Sequence, residues 1–262
     1  MKLSKITSYL EGKAPISLQE AYDNSGLILG NTDAEITKVL VCLDADIDTI
    51  EYAISQNCQL VLSHHPTVFK AIKNFTLQTR ESSILIKSIK NDLALYSSHT
   101  NFDSAEGGLS DLICAKVGLK NIKVLKSYSY DSAEYGAGRY GETEPIDGNN
   151  FISKMKSKLG LDTIRYVGQI PQTVIRVAVY NGSYDRDIMN DLTRISPVTL
   201  ITGDLKYHDA QELIYNGIFT IDAGHYGTEI IFVDEMANML EERFSNLNII
   251  RYKGKDVFNY HY

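Results

Sequence analysis

Apolar residues in the first hundred positions fall into short unbroken runs separated by stretches of helical period. Residues 38–44 (KVLVCLD) and 59–63 (QLVLS) are nearly continuous apolar segments, and 47–56 between them repeats its apolar positions every three or four residues. Strands that are apolar on both faces belong in a sheet covered by helices, so this rhythm predicts a βαβ unit in a parallel or mixed sheet. A helix over 82–91 and a strand over 93–98 continue it.

The pattern breaks from 120 to 150 into Tyr, Ser, Gly and Glu, with Gly136-Ala137-Gly138-Arg139 reading as a turn rather than a nucleotide fingerprint. A connecting region with tight turns is expected there, dividing an N-terminal lobe, 1–125, from a C-terminal lobe, 126–262. Regularity then returns. A helix over 150–158, an alternating strand over 174–180 ending in the turn Asn181-Gly182-Ser183, and a strand over 198–202 follow in order. Next come a helix over 208–215, a strand over 218–222, a long helix from about 225 to 244 and a last strand, 248–252, that closes the sheet. The expected class is α/β: two αβ lobes with mixed sheets covered by helices, the final helix and strand able to pack back on the first lobe.

Composition narrows the function. With 44% hydrophobic and 23% charged residues the chain has an ordinary globular balance. No apolar run approaches the roughly 20 residues that cross a bilayer. The opening MKLSKITSYLEG lacks the apolar stretch and cleavage site of a secretory signal, so a soluble, cytoplasmic protein without a membrane partner is expected. A formal net charge of −7 argues against a nucleic acid polymer as partner, because such binding needs clustered Lys and Arg. Cys42, Cys58 and Cys114 are odd in number and lie outside any CxxC pair, which makes them buried thiols in this reading.

Three segments concentrate side chains that favour transition metals, each where a buried strand should end or a helix begin. They are Ser63-His64-His65-Pro66, His99-Thr100-Asn101-Phe102-Asp103 and His225-Tyr226-Gly227-Thr228-Glu229. Ligands of open α/β sheets gather beyond the carboxyl ends of strands, and imidazole with carboxylate suits Zn, Fe or Mn. Pro66 restricts His65 to extended backbone, so the rings of His64 and His65 are expected to diverge, and the doublet is read as serving two divalent ions. His225 and Glu229, four apart at a helix start, share one helical face. Asp103 is the anionic partner from the neighbouring strand end, although an Asp in that setting taken alone more often caps the following helix. His99 stays open between ligand, orienting residue, general acid and a satisfied structural histidine. Asp204 and His208 also follow a strand and read either as a helix cap with a structural histidine or as groups facing the same cavity, with His208 then a candidate proton donor or substrate contact.

Together with Asp23-Asn24-Ser25-Gly26-Leu27-Ile28-Leu29-Gly30 and Gly136-Ala137-Gly138-Arg139, in this order, these segments resemble the GTP cyclohydrolase I type 2, or Nif-three-like, family over nearly the whole chain. The resemblance implies a Nif-three-like fold whose two lobes share a dinuclear metal site. His64, His65, Asp103, His225 and Glu229 stand at the positions that match the family's ligands. It also implies self-association as a ring-like homohexamer. Two departures are visible, neither at a ligand position: 120–150 leaves no room for the domain that some relatives insert between the halves, and Ser25 stands where many relatives have Val.

The expected function is a dinuclear metal-dependent hydrolase similar to GTP cyclohydrolase I type 2, in which metal-activated water attacks C8 of guanine and formate leaves. His99 or His208 would move protons. A metal-binding or assembly protein without catalysis is the alternative reading, and a small-nucleotide phosphodiesterase is a weaker one. The substrate expected is a small molecule or nucleotide.

Overall fold

The computed structural model describes residues 1–129 and 132–259. By contact the chain divides into two compact units, one made of Met1–Phe102 with Phe232–Tyr262 and the other of Asp103–Ile231.

The first unit opens with α1 (Leu3–Lys13) and β1 (Gly26–Leu29), then runs β2 (Lys38–Asp44), α2 (Ile47–Ser55), β3 (Leu60–His65), α3 (Arg80–Lys90) and β4 (Ala94–Ser97). Strands β2, β3 and β4 pair in parallel, with Asp44 opposite His65 and Ser63 opposite Ser97. Their carboxyl ends therefore lie along one edge of the sheet. Antiparallel β1 joins beyond β4. Almost every residue of β2, β3 and β4 is buried, as continuous apolar runs require. Helix α2 starts where the Asp46 side chain accepts from the Thr49 N–H (2.8 Å), satisfying one of the orphan donors of a first turn. It turns Ile50 and Ala53 into a core with Leu40, Val61 and Leu95.

The chain leaves this unit within the short helix α4 (Thr100–Ser104). Elements of the second unit follow as α5 (Leu109–Val117), β5 (Lys120–Ser129), β6 (Ser132–Ile146), α6 (Gly148–Leu159), β7 (Arg165–Val167) and β8 (Val174–Val179). After them come α7 (Met189–Arg194), β9 (Thr199–Thr202), α8 (Tyr207–Tyr215), β10 (Phe219–Asp222) and α9 (His225–Glu229). Sheet order is β5-β6-β8-β9-β10-β7, with β8, β9 and β10 parallel. Ala178, Leu200, Leu192 and Leu213 lie in its core.

The region expected to connect two lobes is instead a long antiparallel pair, β5 with β6, in which Val124 faces Arg139 and Ser127 faces Gly136. Tyr130 and Asp131, part of the expected tight turns, lie outside the described residues. A boundary at 125/126 falls inside β5. Polar side chains misled the reading because an edge ladder is held by backbone bonds, whatever its outward side chains are. The run Gly136-Ala137-Gly138-Arg139 is likewise strand, not turn. A Cβ on Gly136 would lie 2.1 Å from the Lys126 carbonyl oxygen, which is why glycine stands at that close approach.

The expected long helix from 225 to 244 is two pieces. Helix α9 ends at Glu229, and α10 (Ile231–Arg243) begins after Ile230. Neither Pro nor Gly stands at the break; the pieces serve different cores, α9 the second unit and nearly all of α10 the first. There Phe232 meets Phe102 edge-on at 5.7 Å. Strand β11 (Asn248–Tyr252) then pairs in parallel with β2. No helix among the described residues is long and apolar enough to cross a membrane.

Candidate metal centre

In the first unit the histidines collect at the carboxyl ends of β3 and β4. One ring nitrogen each of His64, His65 and His99 lies within 4.8 Å of the others, a grouping that could hold a metal ion. The ring centroids of His64 and His65 are 5.0 Å apart, their planes at 48°. His99 stands 5.1 Å from His64 and 5.4 Å from His65. The β2–β3 register runs on through His65 opposite Asp44, and the Ser63 hydroxyl donates to the His65 carbonyl (2.8 Å) across the doublet.

Each of these rings is held by its Nδ1. His64 Nδ1 bonds the Ser98 carbonyl (2.8 Å), His65 Nδ1 an Asp44 carboxylate oxygen (2.9 Å) and His99 Nδ1 an Asp23 carboxylate oxygen (2.8 Å). Such a bond selects the tautomer with its proton on Nδ1 and its lone pair on Nε2, and it fixes the ring plane. Asp23 is itself built in. Its carboxylate accepts from the Asn24 N–H (2.7 Å), the Ser25 hydroxyl (2.9 Å), the Thr100 N–H (3.1 Å) and the Thr100 hydroxyl. Burial opposes ionisation of Asp23, but the bond and charge of His99 with those donors outweigh it and hold the carboxyl well below the usual carboxylate range. Phe69 stands edge-on to His99 at 5.7 Å.

The second unit assembles acids at the ends of its own parallel strands. His225 Nε2 lies 2.9 Å from a Glu229 carboxylate oxygen, one turn along α9, and His225 Nδ1 bonds Asp204 Oδ2 (2.7 Å). Asp204 adopts a left-handed φ of 46° to do so, a conformation Asp tolerates better than most residues. Just past β8, the Asn181 amide nitrogen donates both to Asp103 Oδ1 (3.0 Å) and to Glu229 Oε1 (3.2 Å). One amide thus ties two carboxylates together. Beside it Gly182, with φ of 65°, leaves the space these groups use: a Cβ there would lie 2.2 Å from Glu229 Oε1 and 3.4 Å from His225 Nε2. Gly203, past β9, is packed as tightly, its Cβ position 2.3 Å from the Gly182 carbonyl oxygen. Imidazoles locked through Nδ1, clustered acids and a glycine that keeps their cradle open fit a divalent transition ion.

Asp103 lies inside α4, and the next helix, α5, has Gly108 at its N-cap. His208 is the exception among the described histidines. It sits exposed on α8 with Nδ1 against Gln211 Oε1 (3.1 Å) and belongs to no donor group, although Asp204 four residues earlier does reach His225. Arg139, left without a role by the sequence, is buried on β6. It donates to Asp111, to the Gly136 and Gly138 carbonyls, and to the Ser104 and Ala105 carbonyls just past Asp103. Sequence reasoning missed Asp23, Asp44, Asn181 and Gly182 as parts of the candidate site. Asp44 carried a signal, a carboxylate closing a buried parallel strand; Asn181-Gly182 read only as a turn.

Two mixed sheets with helices, carrying at the carboxyl ends of parallel strands histidine and carboxylate groups that could hold a metal ion, define an α/β protein as the class. Residues 1–256 match the family Duf34/NIF3 (NGG1p interacting factor 3), and the chain belongs to it. A relative from Clostridium perfringens, named GTP cyclohydrolase 1 type 2 homolog, is 34% identical over 99% of this chain and all of its own length. The crystal structure of Staphylococcus aureus hypothetical protein SA1388 matches with a TM-score of 0.91 at 26% identity, covering 100% of this chain and 99% of that one. A Bacillus cereus protein related to NIF3 matches at 0.90 and 20% identity over 100% and 99% of the two chains, which speaks to fold alone.

Proposed function

We propose that this protein is a divalent-metal-dependent hydrolase of two ions, acting on a guanine nucleotide in the manner the name of its relatives suggests. The donors assigned are His64, His65, Asp103, His225 and Glu229. One observation carries the reading: His64, His65, His99 and His225 each have Nδ1 engaged by a carbonyl or carboxylate. Structural histidines have no need of such uniform anchoring, whereas ligating ones gain basicity and a fixed ring from it.

A divalent ion bound there supplies Lewis acidity, bringing the ionisation of water toward neutral pH and polarising substrate oxygens. The chain's own groups do the rest. Asp44 and Asp204 orient His65 and His225, Asn181 holds the carboxylates of Asp103 and Glu229, and Phe69 shields one side of His99. Asp23 fixes the His99 ring through Nδ1, so Nε2 is the atom at which His99 takes up or releases a proton. Location favours His99 over the exposed His208 for that task. Self-association as a homohexamer is part of the same proposal, drawn from the family resemblance, and a solution mass checks it.

Metal analysis followed by a GTP assay on protein reloaded with Zn, Fe or Mn tests the function. Bound metal and formate release are expected, both lost in an Asp103→Ala, Glu229→Ala double variant. Full turnover in that variant would overturn the assignment. Tight metal binding with no turnover of any nucleotide would favour the metal-binding or assembly reading instead.

A further inference from the structure

A cavity of about 520 Å³ opens in the second unit where β5, β6 and β8 meet the end of α7, and none of the candidate metal donors lines it. Its walls bring together Lys123, Arg176 and Arg194 with one carboxylate, Glu142. That is a local reversal of sign in a chain of net charge −7. Glu142 is the cross-strand register partner of Arg176, where an ion pair would be the ordinary outcome. Its carboxylate accepts instead from the Asn121 amide (3.1 Å), and no ion pair joins it to Arg176.

The two guanidinium groups are held from behind by backbone. Arg176 Nη1 donates to the Ile195 carbonyl (2.6 Å), and Arg194 Nη2 donates to the Leu125 carbonyl (3.4 Å) while pairing with Asp191 (2.9 Å). A guanidinium carries five N–H donors in a fixed fork, so these bonds position the groups without exhausting them. Lys123 makes no ion pair among the described residues. Fixed guanidinium forks with a neighbouring ammonium are the donor set that phosphate oxygens match best. The cavity is also far larger than a phosphate group and falls in the range of small-molecule pockets. Ile122, Tyr140 and Ile195 add apolar and aromatic wall.

We propose that this cavity binds a small phosphorylated organic molecule, its phosphate on Lys123, Arg176 and Arg194 and its planar or apolar body against Tyr140. A nucleic acid polymer is disfavoured because the acidic chain repels an extended polyanion.

Calorimetric titration of the full-length protein with phenyl phosphate and with inorganic phosphate tests this. Both are expected to bind, phenyl phosphate more tightly. In a Lys123→Glu, Arg194→Glu double variant, whose altered side chains are solvent-exposed, both affinities should fall by about tenfold or more, with circular dichroism and thermal midpoint retained. An Asp103→Ala, Glu229→Ala variant should bind as wild type does. Absence of binding, binding that the charge reversal leaves unchanged, or binding abolished by the Asp103 and Glu229 changes would overturn the proposal. Equal affinity for the two probes would overturn the assignment of an organic body.

Discussion

Gly182 shows how much a site depends on an absent methyl group. Its left-handed backbone already favours glycine, and its missing Cβ gives Glu229 Oε1 and His225 Nε2 their room. In Gly182→Ala the new carbon would force the Glu229 carboxylate aside and break its bond from Asn181. Divalent-metal affinity should drop by about 10- to 100-fold, the usual effect of disturbing groups that support ligands. Competition with a chelating dye measures it, and unchanged affinity would show that Glu229 does not need this cradle. Ser25 makes a related point. Its hydroxyl adds a bond to the buried Asp23 carboxylate that orients His99.

At the scale of elements, both sheets use the same device, ending parallel strands in a polar residue on one edge. Asp44 and His65 end β2 and β3 and His99 stands just past β4, while Thr202 and Asp222 end β9 and β10 and Asn181 stands just past β8. This much was legible, because a buried parallel strand is an apolar run and its end is marked by the first polar residue. The anchors were not, since Asp23 and His99 are 76 positions apart and only the fold joins them. Nor was the β5–β6 pair, whose polar outward residues imitate a loop. Arg139 ties that pair to the end of α4. Replacing it with Met would strand five carbonyl and carboxylate acceptors and should cost about 3–5 kcal/mol, as when one partner of a buried pair is removed. A urea unfolding series reads the loss directly, and Lys should rescue little of it because it lacks the planar fork.

For the whole molecule, the three thiols report on both units. Cys42 and Cys58 lie in the first and Cys114 in the second, all buried. Burial pushes the Cys58 thiol up to about 11 and Cys114 up to about 12, from an ordinary value near 9. Above that ordinary value an unfolded chain loses thiol protons that the folded chain keeps. The stability these thiols contribute is thus fully present below pH 9 and lost as pH rises through 11 and 12. Urea midpoints measured across that window should fall, and should fall less in a Cys58→Ala, Cys114→Ala variant. Identical slopes in the two proteins would sink the prediction.

The sequence by itself determined the α/β class, the strands that are apolar on both faces, and the residue types able to bind a metal, because each is written in local period and chemistry. Tertiary structure alone decided which carboxylate orients which imidazole, that His208 stands apart, and that the chain returns through α10 and β11 to the unit where it began. Those outcomes depend on contacts between positions distant along the chain, where burial and backbone pairing, not local propensity, set the free energy.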